Sequence, residues 1–264
     1  MKIIIFFIIF FGLIILNFYK FNENFKVTNI FNDYFDKIIY INLNHRKDRK
    51  EQILNELKKM DIDENKIYRL EAVHEKYNGH IGCAKSHINV LNYAKKNKFK
   101  NILVFEDDFV FTNDKNNVQE KINTFLKKNK GNWDVVQLTS HYKTFRDNDE
   151  NNNVRLINKA STSSSYMINE AFYDKLLNSL NSSVENMEKE MIEYNKQNND
   201  VKKKKTTTRF ALDQHWYPLQ KKSNWYLFDP YLGKQGGEAG KSSIMSHKLE
   251  GFVVNTARMF SLSV

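Results

Sequence analysis

Cysteine is almost missing: Cys83 is the only one in 264 residues. No intrachain disulfide can form, so a hydrophobic core has to hold the domain. The chain is long enough to build one, and a lumenal or other oxidising location stays open. Proline occurs twice, while Asn, Lys, Ile and Phe are used heavily. That bias follows from AT-rich coding and weakens any argument from lysine or asparagine alone. No internal repeat is visible. No Gly-x-Gly-x-x-Gly follows the first strand-like run, so the dinucleotide-binding fingerprint is absent. No Cys/His spacing stands beside the main acid cluster, which argues against zinc there and for a hard ion.

The first residues are the opposite case, with apolar side chains dense over 3–19. A membrane-spanning helix needs about 17–25 such residues. A cleaved signal peptide would want small residues before its cleavage site, and no Ala-x-Ala pattern follows. The expectation is an uncleaved signal anchor over 1–20, a linker over 21–36, and one globular domain over 37–264. The protein would then be single-pass, with its domain facing an endomembrane lumen if the source is eukaryotic or viral. Flanking charge, Lys2 on one side and Lys20 and Lys26 offset by Glu23 on the other, does not settle the orientation. The sequon Asn181-Ser182-Ser183 would be usable in a lumen. The net charge is +10, but the lysines are scattered and one run, 202–205, sits in a low-complexity stretch. A solvated surface is the expectation, with no nucleic-acid partner.

Beyond the start, strand and helix signals alternate. Runs at 37–43, 67–73 and 101–105 read as strands. Apolar stripes over 48–60 and 85–96 read as helices. This βαβαβ order predicts a mostly parallel α/β sheet with flanking helices. A helix near 118–127, strands at 134–138 and 165–168, and a helix carrying Phe172, Leu176 and Leu180 follow. Residues 146–153 read as a polar loop. The Glu-, Asn-, Lys- and Thr-rich stretch 182–209 reads as an inserted helix or flap outside the core.

The strongest chemical signal is Ile102-Leu103-Val104-Phe105 running into Glu106-Asp107-Asp108. Three adjacent acids repel one another unless a cation sits among them. In an open α/β sheet, ligands bind beyond the carboxyl ends of the strands. Strand alternation would put Glu106 and Asp108 on one face and Asp107 on the other. Oxygen ligands favour Mn²⁺, or Mg²⁺, completed by substrate phosphates. Three further groups stand out. Asn42 with Arg46 and Arg49 ends the first strand and could meet a diphosphate, or begin a solvated helix face. Gly82, Cys83, Ser86 and His87 open a helix and could receive an anion, or simply cap and pack. Asp213, among Leu212, His215 and Trp216, could be a general base or a helix cap.

Taken in order, these pieces resemble glycosyltransferase family 25, the lipooligosaccharide and procollagen galactosyltransferase-like enzymes. The matching features are Ile39-Tyr40-Ile41-Asn42-Leu43 with Arg46-Lys47-Asp48-Arg49, then Glu71-Ala72-Val73, Gly82-Cys83 and Ser86-His87. They continue with Glu106-Asp107-Asp108, Ser165-Tyr166-Met167-Ile168, Asp213, Gln235, and Ser242-Ser243-Ile244. The resemblance implies a GT-A-like fold, a UDP-sugar donor carrying galactose or glucose, and Mn²⁺ held by Glu106, Asp107 and Asp108. It further implies an inverting transfer to a hydroxyl of a glycan, a lipooligosaccharide or a collagen-like protein, with Asp213 as base. Asn42, Arg46, Arg49, Glu71, Gly82, Ser86 and His87 would serve the donor, and Gln235 and Ser242 the acceptor or the C-terminal signature. The rival expectations are a non-catalytic homologue and another metal-dependent nucleotide-using transferase.

Overall fold

A computed structural model describes residues 29–146, 153–198 and 209–236. The apolar start, residues 199–208, most of the polar loop and the tail carrying Ser242 lie outside the described residues. Among the described residues the strands are β1 (Lys37–Asn42), β2 (Ile67–Glu71), β3 (Asn101–Glu106), β4 (Phe109–Phe111), β5 (Val135–Gln137), β6 (Lys143–Phe145), β7 (Val154–Ala160), β8 (Ser165–Asn169), β9 (Trp225–Phe228) and β10 (Gly233–Gln235). The helices are α1 (Ile30–Tyr34), α2 (Lys47–Lys59), α3 (Gly79–Lys96), α4 (Lys115–Asn129), α5 (Tyr173–Asn198), α6 (Leu212–His215) and α7 (Tyr217–Lys222).

Eight strands form one sheet in the order β2-β1-β3-β8-β5-β9-β7-β6, and β4 pairs with β10 separately. β1 runs parallel to β2 and β3, and β5 to β9, while β8 is antiparallel to β3 and β5. The mostly parallel α/β expectation holds, with β8 and β7 reversed. Helices cover both faces, which is why the central strands read as unbroken apolar runs. Alternate residues of β1 and β3 divide between two cores. Ile39, Ile41, Ile102 and Val104 pack with α3 and α5. Ile38, Tyr40, Leu103 and Phe105 pack with α1, α2 and α4.

Several sequence expectations change. The linker over 21–36 is folded domain from Asn29 onward: Ile30, Phe31 and Phe35 are buried, and the Asn29 side chain donates to the carbonyls of Met60 and Asp61. Helix α3 starts at Gly79, not 85, because the Asn78 side chain caps it by accepting from the His80 N–H at 3.0 Å. The charged segment after 182 is no insertion. Up to Asn198 it is the second half of α5, whose Leu180, Val184 and Met187 carry one apolar stripe into the core. The sequon's Ser183 is fully buried and donates to the Phe210 carbonyl.

The membrane placement is also corrected. Among the described residues no helix is long and apolar enough to cross a membrane. The 1–20 segment on which the anchor rested lies outside them, so a single-pass topology is not carried forward.

Candidate active site

The site follows from the strand order. Parallel pairing sets Ile41 beside Glu106 and Asn42 beside Glu71, so the carboxyl ends of β1, β2 and β3 share one edge. Because β8 is antiparallel to β3, the residues just before Ser165 also arrive there, and the Glu106 N–H donates to the Ser164 carbonyl at 2.8 Å. β10 returns the chain beside β4, where the Gly236 N–H donates to the Asp108 carbonyl at 2.8 Å. Four separate segments thus meet around the acids.

β3 ends at Glu106 and Asp107-Asp108 form a turn into β4, so pleat alternation stops before it can separate the acids. The expected division onto two faces is therefore wrong. All three line one cleft, together with Arg49, the 72–77 loop, Cys83, Ser86, His87 and Gln235. The space between these residues, counted out to the open mouth, is about 960 Å³.

Each acid has its own surroundings. Glu106 Oε1 accepts from the Ser163 hydroxyl and lies 3.4 Å from His87 Nε2. Burial pushes its carboxyl up, but His87, Ser163 and Arg49 together outweigh this and hold it below the usual range. Asp107 accepts from Asn42 Nδ2 at 2.7 Å and from Arg49 at 3.1 Å. Burial still raises it. Asp108 accepts from the same Arg49 nitrogen at 3.2 Å and from Gln235 Nε2 at 3.4 Å, while its Oδ1 is buried without a hydrogen-bond partner. Burial and the charge of Glu106 push its carboxyl up to about 7, with Arg49 offsetting only part. Arg49 pairs with two of the three carboxylates, yet Asp108 Oδ1 stays buried without a partner, as an oxygen open to a cation would. The donor set is hard oxygen, so a divalent ion of the Mn²⁺ or Mg²⁺ type fits these residues.

The other expected residues divide. Asn42 is buried and held by Arg69 Nε at 3.1 Å while it orients Asp107. Arg46 pairs with Asp48 at 2.7 Å and also feels the charges of Asp107 and Asp108. Glu71 is exposed, 3.9 Å from Arg69, and does not line the cleft. Ser86 lines the cleft, but its hydroxyl accepts from the Val73 N–H at 2.8 Å and donates to the Gly82 carbonyl at 2.7 Å. It ties α3 to the loop after β2. Asp213, half-buried on α6, accepts from the Thr162 N–H at 2.9 Å. Thr162 Oγ1 in turn donates to Gln235 at 2.8 Å, which links Asp213 to Asp108 through two residues.

Gly82 marks a close approach of backbone to backbone. A Cβ there would lie 2.5 Å from the Val73 carbonyl oxygen. Gly82→Ala is expected to cost about 1–3 kcal/mol of stability by overpacking and to displace the 73–75 wall. Thermal unfolding reads the first effect, and amide hydrogen exchange over 73–75 the second.

Sequence reasoning missed the segment that backs Glu106. Residues 161–165 (Ser-Thr-Ser-Ser-Ser) are all buried. Thr162 holds a left-handed φ of +70° while its N–H, hydroxyl and carbonyl bind Asp213, Gln235 and Gln137. Such strain in a non-glycine residue persists only where surrounding bonds fix it. Tyr166 Oη lies 3.0 Å from His87 Nδ1. Five consecutive small hydroxyl residues before an apolar strand were the available signal.

The acid cluster lies at the carboxyl edge of an α/β sheet and faces an open cleft, the place where such sheets bind ligands. Residues 65–208 match glycosyltransferase family 25 (LPS biosynthesis protein). The chain belongs to that family and is a glycosyltransferase. No curated protein matches it in sequence. Among solved structures it is similar to A197 from STIV, at 12% identity and TM-score 0.39, covering 80% of this chain and 98% of that one. It is similar to a glycosyltransferase involved in glycosylation of the major capsid of PBCV-1, at 9% identity and TM-score 0.34, covering 73% and 92%. A UDP-glucose pyrophosphorylase complexed with UDP-glucose follows at 10% identity and TM-score 0.40, covering 85% and 81%.

Proposed function

We propose that this glycosyltransferase moves a hexose, galactose or glucose, from a UDP-sugar to a hydroxyl acceptor on a glycan, lipooligosaccharide or collagen-like protein, and that it requires Mn²⁺ or Mg²⁺. The observation that carries the metal dependence is the unpartnered, buried Asp108 Oδ1 within a cluster of three acids, two of which are paired with Arg49. Glu106 and Asp108 would hold the ion, with Asp107 and Arg49 fixing the turn. When bound, the ion supplies positive charge for the departing diphosphate. The chain's own residues do the rest. Arg49 and Asn42 keep the acids in place, and the 72–77 loop and α3 wall the donor from water. Asp213 receives the acceptor proton as the hydroxyl attacks the sugar from the side opposite the diphosphate. Its support is position: it is half-buried, held by one N–H, and close enough to His80 to act on its charge.

Calorimetry of UDP binding tests this reading: binding is expected with Mn²⁺ and is lost in EDTA, while equal binding in both refutes metal dependence. A pH dependence follows as well. Below about pH 7 Asp108 takes up a proton, and an ion must displace it to bind. Mn²⁺ affinity should therefore fall by about tenfold per pH unit below 7 and level off above it. Titrations at pH 6, 7 and 8 check the slope.

A further inference from the structure

Helix α3 presents Cys83 and His87 four residues apart, hence on one face, toward Glu106. The Cys83 Sγ, His87 Nε2 and Glu106 Oε1 atoms all lie within 4.8 Å of one another. Individual separations are 3.4 Å from His87 Nε2 to Glu106 and 4.0 Å from Cys83 Sγ to Glu106. Bond lengths of about 2.0–2.3 Å place the ligands of a tetrahedral ion roughly 3.3–3.7 Å apart, so small rotations complete the set. The outer support is present too. Tyr166 Oη, 3.0 Å from His87 Nδ1, fixes the imidazole from behind, as a bound-histidine partner does. Cys83 lines the open cleft, so an ion can reach it. The sequence expectation that no Cys/His spacing stands near the acids therefore fails in space.

We propose that the cleft contains a second, softer metal site, Cys83–His87–Glu106, which takes a thiophilic divalent ion such as Zn²⁺ or Co²⁺. A thiolate, an imidazole and one carboxylate are the donor mix such ions prefer, and Mn²⁺ or Mg²⁺ gains little from sulfur. Three protein ligands leave a fourth position open to water or substrate. The softer site stands on its own geometry. Its consequence for catalysis rests on the proposed function above: Glu106 cannot serve both ions, so Zn²⁺ withdraws it from the hard site and inhibits.

Co²⁺ titration of the full, metal-free chain tests the site apart from any activity. Cys83 is the only sulfhydryl in the chain, so a thiolate-to-cobalt charge-transfer band reports this residue alone. The expected result is that band together with tetrahedral ligand-field bands, both lost in Cys83→Ser. Tyr166→Phe is expected to keep the band while weakening Co²⁺ by about 10-fold. Excess Mn²⁺ should bleach the band through the shared Glu106. X-ray absorption of the zinc-loaded wild-type protein needs no variant and should show one sulfur at about 2.3 Å. Co²⁺ binding without the band, no Co²⁺ binding, or a zinc shell of nitrogen and oxygen only would overturn the site. A band indifferent to Mn²⁺ would overturn the overlap.

Discussion

Asp108→Asn is expected to lower the Mn²⁺-dependent transfer rate by about 10²–10³-fold, the scale of losing one electrostatic partner of developing charge, while leaving the metal-free protein as stable as before or more so. The two effects have one cause. Without an ion, the charged carboxylate is buried beside Glu106, with a folded pKa of about 7 against an ordinary 3.8. A carboxyl raised on folding burdens the fold above its folded pKa, and the burden fades as pH falls toward the unfolded value. Asparagine keeps the shape and can still accept from Arg49 and Gln235. In EDTA its melting temperature should therefore equal or exceed the wild type at pH 8, with the difference shrinking by pH 5. A residue kept for packing would behave the other way, losing stability and little else.

Arg49→Met should produce the largest loss of stability of any single change at the site. Arg49 is buried and bridges Asp107 and Asp108 from one nitrogen, at 3.1 and 3.2 Å. Removing one partner of a buried ion pair costs about 3–5 kcal/mol, because the remaining charge is left uncompensated. Here two charges are left. Both carboxyls already sit above their usual range, and loss of the guanidinium raises them further. The loss should thus be greatest at pH 8 and smaller at pH 5, where the acids protonate. Denaturant unfolding at the two pH values checks this. The triple variant with Asp107→Asn and Asp108→Asn should recover most of the stability. A pH-independent loss would mean that Arg49 acts through packing alone.

The parallel half of the sheet was legible because covered strands leave unbroken apolar runs, as in 38–41 and 102–105. The acids at the end of β3 were legible for the same reason, since the run stops abruptly at Glu106. Their grouping was not. Period-2 alternation holds only while a strand continues, and it ends at Glu106. The start of α3 was hidden because Asn78 and Gly79 read as loop residues until the cap is seen. The second half of α5 was hidden by composition: its apolar stripe is one residue in three or four among Glu, Lys and Asn. Ser163, Thr162 and Tyr166 belong to the site only because β8 is reversed, and no local pattern announces a reversed strand. Likewise, nothing local says that Arg49 will reach past Asp48 to Asp107 and Asp108.

The most direct test of the account is release of nucleoside diphosphate from a panel of UDP-sugars, measured in Mn²⁺ and in EDTA with wild type and Asp108→Asn. The account predicts release from a UDP-hexose in Mn²⁺, abolished by EDTA and reduced in the variant as far as background permits. Release that survives EDTA, or that is unchanged by Asp108→Asn, would contradict it. So would silence across the panel accompanied by no calorimetric binding of any sugar nucleotide.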